Sequence, residues 1–274
     1  MLEASEAIPL YVDRFILAPE RSLYGISIEV TEDRIGLIND ITTILRNKGV
    51  RILTMYVQVG RNGKGRIIIA MDLTDSNTSI NDLAKDIGVV TGLGEVTIIE
   101  PVREGFLVDT VSFPVYTGPY RMVFFRDVLL RGLIEGLKER IGIQVAEALL
   151  YHIGSEMGRT AAQDHIRMGK ALGLKSPAEI VRYITIPTFT AIGFARTELS
   201  ELKEDVPYYN IRLYNSIECE IGKPKGRPSS HLVRGMMAGA LSEIHKTELT
   251  AEEKKCIAAG DPYCELEIRP HQSL

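Results

Sequence analysis

The chain has 274 residues, 25% of them charged, and a formal charge of −4 at pH 7. That length holds one or two domains, each able to bury its own core, and the acidic balance argues against nonspecific nucleic-acid binding, which needs a basic face. The 3 cysteines are too few for a disulfide framework and fit a reducing, cytoplasmic setting, the acidic N-terminus lacks a signal-peptide apolar run, and no stretch approaches the ~20 apolar residues of a membrane span.

Residues 1–22 read as an arm, in which Leu10, Val12 and Ile16 offer a short strand or a docking segment. Residues 23–102 carry a denser pattern. Residues 24–30 alternate as a strand, Asp33-Arg34-Ile35-Gly36 is a turn, and Leu37, Ile38, Ile41, Ile44 and Leu45 recur at helical spacing. Asn47-Lys48-Gly49 stops that helix. Residues 52–59 and 66–73 read as strands joined by an Asn62-Gly63 hairpin turn. Ile80, Leu83, Ala84 and Ile87 mark a second helix, and residues 96–99 a last strand. The order βαββαβ predicts a ferredoxin-like unit, which by itself fixes no function.

The Asp-x-x-Gly turn at Asp33 and Gly36, its following helix and Gly49-Val50-Arg51-Ile52 resemble an ACT domain. The resemblance implies pairing of copies into a homodimer and an amino-acid effector where the first strand meets the first helix. It carries that role to Asp33, Ile35, Gly36, Leu37 and Asn39. Physically, Gly36 lets backbone N–H groups at a helix start face a carboxylate. The alternative is a turn glycine in a sheet that only dimerises.

Residues 103–119 read as a linker punctuated by Gly105, Pro114, Gly118 and Pro119, with strand character surviving over 107–115. Residues 120–270 predict a second α+β domain. Val128, Leu129, Leu133, Ile134 and Leu137 fit a helix over 125–140, and a longer one spans 144–168. Within the longer helix, Gly154, Ser155 and Gly158 permit a close backbone crossing. Ser176-Pro177-Ala178-Glu179 is a helix start. Residues 189–197 and 208–220 read as strands. The loop at 222–229 carries Lys223, Lys225 and Arg227, which read as a solvated loop. A helix over 230–246 and a final hairpin close the chain.

His152 sits on an apolar helical stretch, either as a satisfied core histidine or as a polar group aimed into a cavity. Phe194 and Met236 suit a plain core or an adaptable apolar pocket. His152 and His165 lie ~220° apart around one helix, so no histidine pair has metal spacing. No nucleophile elbow, Walker loop or dinucleotide fingerprint is present, and no catalytic residue is assigned.

The last stretch, Glu253 to Cys264, holds two of the three cysteines. Gly260-Asp261-Pro262 reads as a tight turn. A hairpin centred there sets Cys256 and Cys264 opposite each other, close enough to share a metal or a disulfide. Glu253 lies on the other face of a regular strand and joins them only through a bulge. That donor set suits Zn²⁺ better than Ca²⁺ or Mg²⁺. Packed structural thiols with a solvated Glu are the competing reading.

Glu-x-x-Cys, the Gly-Asp-Pro turn and a Cys before alternating apolar residues resemble the C-terminal signature of the 4-vinyl reductase domain. Asn215-Ser216, Ser230-His231, Gly235 and Gly239 add to it. The resemblance implies a ligand-sensing fold with zinc held by Glu253, Cys256, Cys264 and a fourth cysteine at position 230. Ser230 departs from that pattern, so either the metal is lost or Cys219 or a water completes the shell. Together the two resemblances imply a small-molecule-sensing regulatory protein, with an amino-acid-like effector in the first domain and an apolar or aromatic ligand in the second. Its output would pass through a partner protein. Two alternatives stand: an accessory of tetrapyrrole vinyl reduction, and an assembly module akin to vesicle-tethering subunits.

Overall fold

The structure, a computed structural model, describes residues 9–60, 62–203, 206–223 and 226–270. It divides into two compact units between Val123 and Phe124.

The N-terminal unit contains β1 (Phe15–Leu17), β2 (Leu23–Val30), α1 (Leu37–Asn47), β3 (Arg51–Val59), β4 (Gly65–Asp72), α2 (Ile80–Gly88), β5 (Leu93–Ile99), β6 (Phe106–Val108), β7 (Val115–Thr117) and β8 (Tyr120–Met122). Its main sheet has the order β3-β4-β2-β5, antiparallel throughout. Strand alternation sends Ile26, Ile28, Val30, Ile67, Ile69 and Met71 to one face, where all are fully buried. Leu37, Ile41 and Leu45 of α1 and Ile80, Leu83 and Ile87 of α2 share that core. Each helix thus buries one stripe at 3.6-residue spacing.

The sheet's other face is partly covered by β1 and β6, which pair with Ile16 opposite Leu107. Leu107 packs there with Leu23 and Ile99. The stretches read from sequence as arm and linker therefore meet each other on this unit. Leu10 and Val12 stay exposed.

The C-terminal unit contains α3 (Asp127–Ile141), α4 (Ile143–Ala171), α5 (Pro177–Ile180), a π-helical turn (Val181–Thr185), α6 (Ile186–Ala191), β9 (Arg196–Lys203), β10 (Tyr208–Tyr214), α7 (Ile217–Ile221), α8 (His231–His245), β11 (Leu249–Lys255), a 3₁₀ turn (Ile257–Ala259) and β12 (Cys264–Pro270). The strands form one antiparallel sheet in the order β11-β12-β10-β9.

Helices α4 and α8 touch backbone to backbone. A Cβ added at Gly154 or Gly158 would stand 2.1 or 2.0 Å from the carbonyl oxygen of Leu232 or Met236. Added at Gly235 or Gly239, it would stand 2.1 or 2.0 Å from that of Tyr151 or Ser155. The small residues are reciprocal, so neither helix accepts a side chain at the crossing. This contact fixes where α8 begins.

Two predicted strands fold differently. Residues 189–197 supply the last turn of α6 before β9 opens at Arg196. A capping box at Ser176 and Glu179 starts a helical run that continues through the π turn. Its β-branched residues imitate strand composition, yet Ala178, Val181, Ile184 and Thr185 are buried at helical spacing. Residues 208–220 form a strand only to Tyr214. Asn215 then adopts φ 53°, and the chain turns into α7, which lifts Cys219 out of the sheet.

Candidate metal centre

Four side chains from three separate segments converge in the C-terminal unit. Cys219 comes from α7, Glu253 from β11, Cys256 from the residue after β11, and Cys264 from the start of β12. Their sulfur and carboxylate atoms all lie within 4.8 Å of one another. A tetrahedron with ~2.3 Å zinc–sulfur arms has edges of ~3.8 Å, so a shift of about 1 Å or less would close the shell around an ion. The three cysteines are fully buried and unbridged.

The local folding explains the convergence. The β11–β12 register slips between Glu253 and Lys255, and the bulge brings Glu253 to the side of Cys256. Cys256 itself lies beyond the ladder rather than opposite Cys264. Its N–H donates to the Asp261 carboxylate at 2.8 Å, and its carbonyl accepts from Asp261 N–H at 3.1 Å and Ala259 N–H at 2.9 Å. Ile257, expected in a strand, belongs to the 3₁₀ turn, and its N–H points at Cys264 Sγ, 3.5 Å away. Such N–H contacts favour a thiolate. The expected hairpin is thus a strand, a compact turn and a strand.

Electrostatically the cluster is strained without a cation. Burial, then the neighbouring Cys256, pushes the Glu253 carboxyl up to about 8. Hydrogen bonds from Cys219 and Cys264 hold the Cys256 thiol well below the usual thiol range. Cys219 is driven up, first by its hydrogen bond to Cys256 and then by Cys264 and burial. One carboxyl and three thiols in a dry pocket therefore hold back their protons unless a positive ion replaces them. Three sulfurs and one oxygen form a donor set that fits Zn²⁺.

A second carboxylate lies beside this site. Glu218, 1% exposed, accepts N–H bonds from His231, Leu232 and Val233 at 3.0, 2.9 and 2.9 Å. It caps α8 in place of the Ser230 side chain, which makes no capping bond. Burial pushes its carboxyl up to about 7 against the pull of those three bonds. Sequence reading missed Glu218; the available signal was an acidic residue beside Cys219 in an otherwise apolar turn. Ser230 gives its N–H to Glu253 at 3.0 Å, while its own hydroxyl is buried without a hydrogen-bond partner.

The other anticipated residues fare unevenly. Phe194 and Met236 belong to one apolar core, where the Phe194 ring lies 5.4 Å from that of Phe189. His152 does not join them. It is exposed, because α4 buries Leu150 and Gly154 and a residue midway between them points ~180–200° away. The buried histidine of α4 is His165, 8% exposed, whose Nδ1 lies 3.2 Å from Thr185 Oγ1 in the π turn. At the N-terminal turn, Gly36 has φ 94° and precedes α1. Asp33, Ile35 and Asn39 are exposed there and Leu37 is buried. Arg34 spans the turn, from its Nε bond to Thr91 O at 3.0 Å to its ion pair with Asp40.

Among the described residues no helix is long and apolar enough to cross a membrane.

Comparison with known proteins agrees with this geometry. The chain is 28% identical over 139 residues to an uncharacterized protein of Methanocaldococcus jannaschii, MJ0150, covering 49% of this chain and 73% of that one. It is 25% identical over 181 residues to a second from the same organism, MJ1460, covering 65% of this chain and 93% of that one. The phenol-responsive sensory domain of the transcription activator PoxR, solved with phenol, superposes with a TM-score of 0.52 at 18% identity, covering 57% of this chain and 79% of that one. The likeness is one of fold. The profile of the 4-vinyl reductase domain matches residues 209–270, a span that contains all four clustered side chains, and the C-terminal unit thus carries a 4-vinyl reductase domain.

Proposed function

We propose that this chain is a small-molecule-responsive regulatory protein whose C-terminal unit is locked by a zinc ion at Cys219, Glu253, Cys256 and Cys264. The observation that carries the reading is the convergence of those four donors from three segments. A bound ion would tie α7 to the β11–β12 connection at the point where Glu253 also holds the start of α8 through Ser230 N–H. The residues hold and orient; zinc supplies the charge that lets the thiols and the carboxyl ionise together. No open position is left for substrate, which marks a structural rather than a catalytic site.

The shared fold with a phenol-responsive domain supports an aromatic or apolar ligand for this unit, with Phe194 and Met236 as pocket walls. The N-terminal unit, by its ACT-like pattern, would take an amino-acid carboxylate at the Gly36 turn, among Asp33, Ile35, Leu37 and Asn39, and pair two copies through residues 23–100. Light scattering should then give about twice the 30.4 kDa chain mass; a monomer at micromolar concentration rejects the pairing.

Metal analysis of protein purified without chelator tests the main reading. Roughly one zinc per chain, lost in Cys256→Ser, supports it. Metal-free protein rejects it.

A further inference from the structure

The β-sheet of the N-terminal unit has a second binding feature, on the face opposite α1 and α2. Residues 111–116 stand off that face and enclose with it a cleft of about 410 Å³. This is the size of a small organic metabolite site. Its floor follows from the register. Tyr56 pairs with Ile68 and Gln58 with Arg66, so these four side chains share one face.

The chemistry of the cleft is specific. Arg66 donates from Nη1 to the buried Ser27 hydroxyl at 2.8 Å, which aims the guanidinium along the floor. No carboxylate makes an ion pair with Arg66 among the described residues, and its cross-strand neighbour Glu29 lies against Gly94 instead. The other cation, Arg14, is already neutralised by Asp109 at 2.8 Å and bonded to Ser112 O at 2.7 Å. The cleft therefore carries about one uncompensated positive charge. Two buried polar atoms on its lining, Tyr56 Oη and Ser112 Oγ, make no hydrogen bond of normal geometry. Unsatisfied buried hydroxyls are uncommon and call for a partner. Val57, Ile68, Val111 and Pro114 complete an apolar wall.

We propose that this cleft binds a small organic monocarboxylate, its carboxylate on Arg66 with the Tyr56 hydroxyl as donor and its apolar body against residues 111–114. One free guanidinium matches a monoanion; a phosphate dianion would leave charge unpaired. The site is distinct from the Gly36 turn and uses none of its residues.

Isothermal titration of the full chain with phenylacetate, phenylacetamide and inorganic phosphate decides the matter. Expected is saturable binding of phenylacetate, with the uncharged amide and phosphate at least tenfold weaker. Arg66→Gln, an exposed position, should weaken phenylacetate tenfold or more and Tyr56→Phe several-fold. Gly36→Val should leave binding unchanged. Phenylacetate binding that survives Arg66→Gln, that the amide matches, or that Gly36→Val abolishes overturns the proposal. So does the absence of binding at millimolar concentration while far-ultraviolet circular dichroism reports a folded chain.

Discussion

The Gly36 turn and the cysteine cluster were both singled out by short motifs, yet the fold treats them in opposite ways. At the turn, the named residues are neighbours in one exposed loop, and only Leu37 enters a core. At the cluster, donors as distant as Cys219 and Cys264 reach within 4.8 Å and are dry. Convergence from several segments costs conformational entropy and desolvation, so a cluster of ionisable groups persists when something offsets that cost. A loop of adjacent residues requires no such explanation. The comparison makes the metal centre the stronger assignment and the effector turn the weaker.

The contrast can be broken from the side of the scaffold. The cluster depends on where α8 starts, and α8 is set by the glycine crossing. Gly158→Leu should unfold the C-terminal unit while the N-terminal unit keeps its cooperative melt. Gly158→Ala should cost ~1–3 kcal/mol through overpacking. Differential scanning calorimetry reads both; an unchanged profile in Gly158→Leu would mean the helices separate freely.

Next in size are the ligands themselves. Cys219→Ser should weaken zinc by about tenfold or more, since loss even of outer-shell partners costs ~10–100-fold. The double variant Cys219→Ser with Ser230→Cys should recover part of it, because Ser230 already gives its N–H to Glu253. Chelator competition measures the affinities. Equal affinity in Cys219→Ser would remove that residue from the site.

How much was legible beforehand follows the same division. The N-terminal elements were readable because their apolar periods are local: Ile26, Ile28 and Val30 alternate, and Leu37, Ile41 and Leu45 recur by four. Glu253, Cys256 and Cys264 were readable for a similar reason, as neighbours in one hairpin. Cys219 could only be offered as one candidate. It sat in a run of strand-like composition, and nothing local announced that Asn215 would turn the chain at positive φ. The α6 stretch failed because a capping box upstream overrode its β-branched residues. His152 was preferred to His165 because both lie among apolar neighbours. Only the position of the glycine stripe says which face of α4 is inside.

The effector turn offers a smaller effect. A free amino acid that binds the folded chain should raise its melting temperature by mass action. Gly36→Val, which places a branched side chain at φ 94°, should abolish that shift. A full amino-acid panel without a shift would leave the turn without a ligand.

The smallest effect is expected from pH. Burial lowers the pKa of His165, with Asp164 pulling the other way, so the unfolded chain takes up its proton first as pH falls below ~6.5. Stability should be highest above that pH and decline below it. Urea denaturation at pH 7.5 and 5.5 should show a larger loss in wild type than in His165→Gln. Equal losses would assign the decline to other groups.

The central claim is a closed site of three sulfurs and one oxygen that uses Cys219. Zinc K-edge X-ray absorption on the loaded protein tests it most directly. The account predicts three sulfur scatterers near ~2.3 Å and one oxygen near ~2.0–2.2 Å, falling to two sulfurs in Cys219→Ser. A spectrum with two sulfurs in the wild type, or one unchanged by Cys219→Ser, would contradict it.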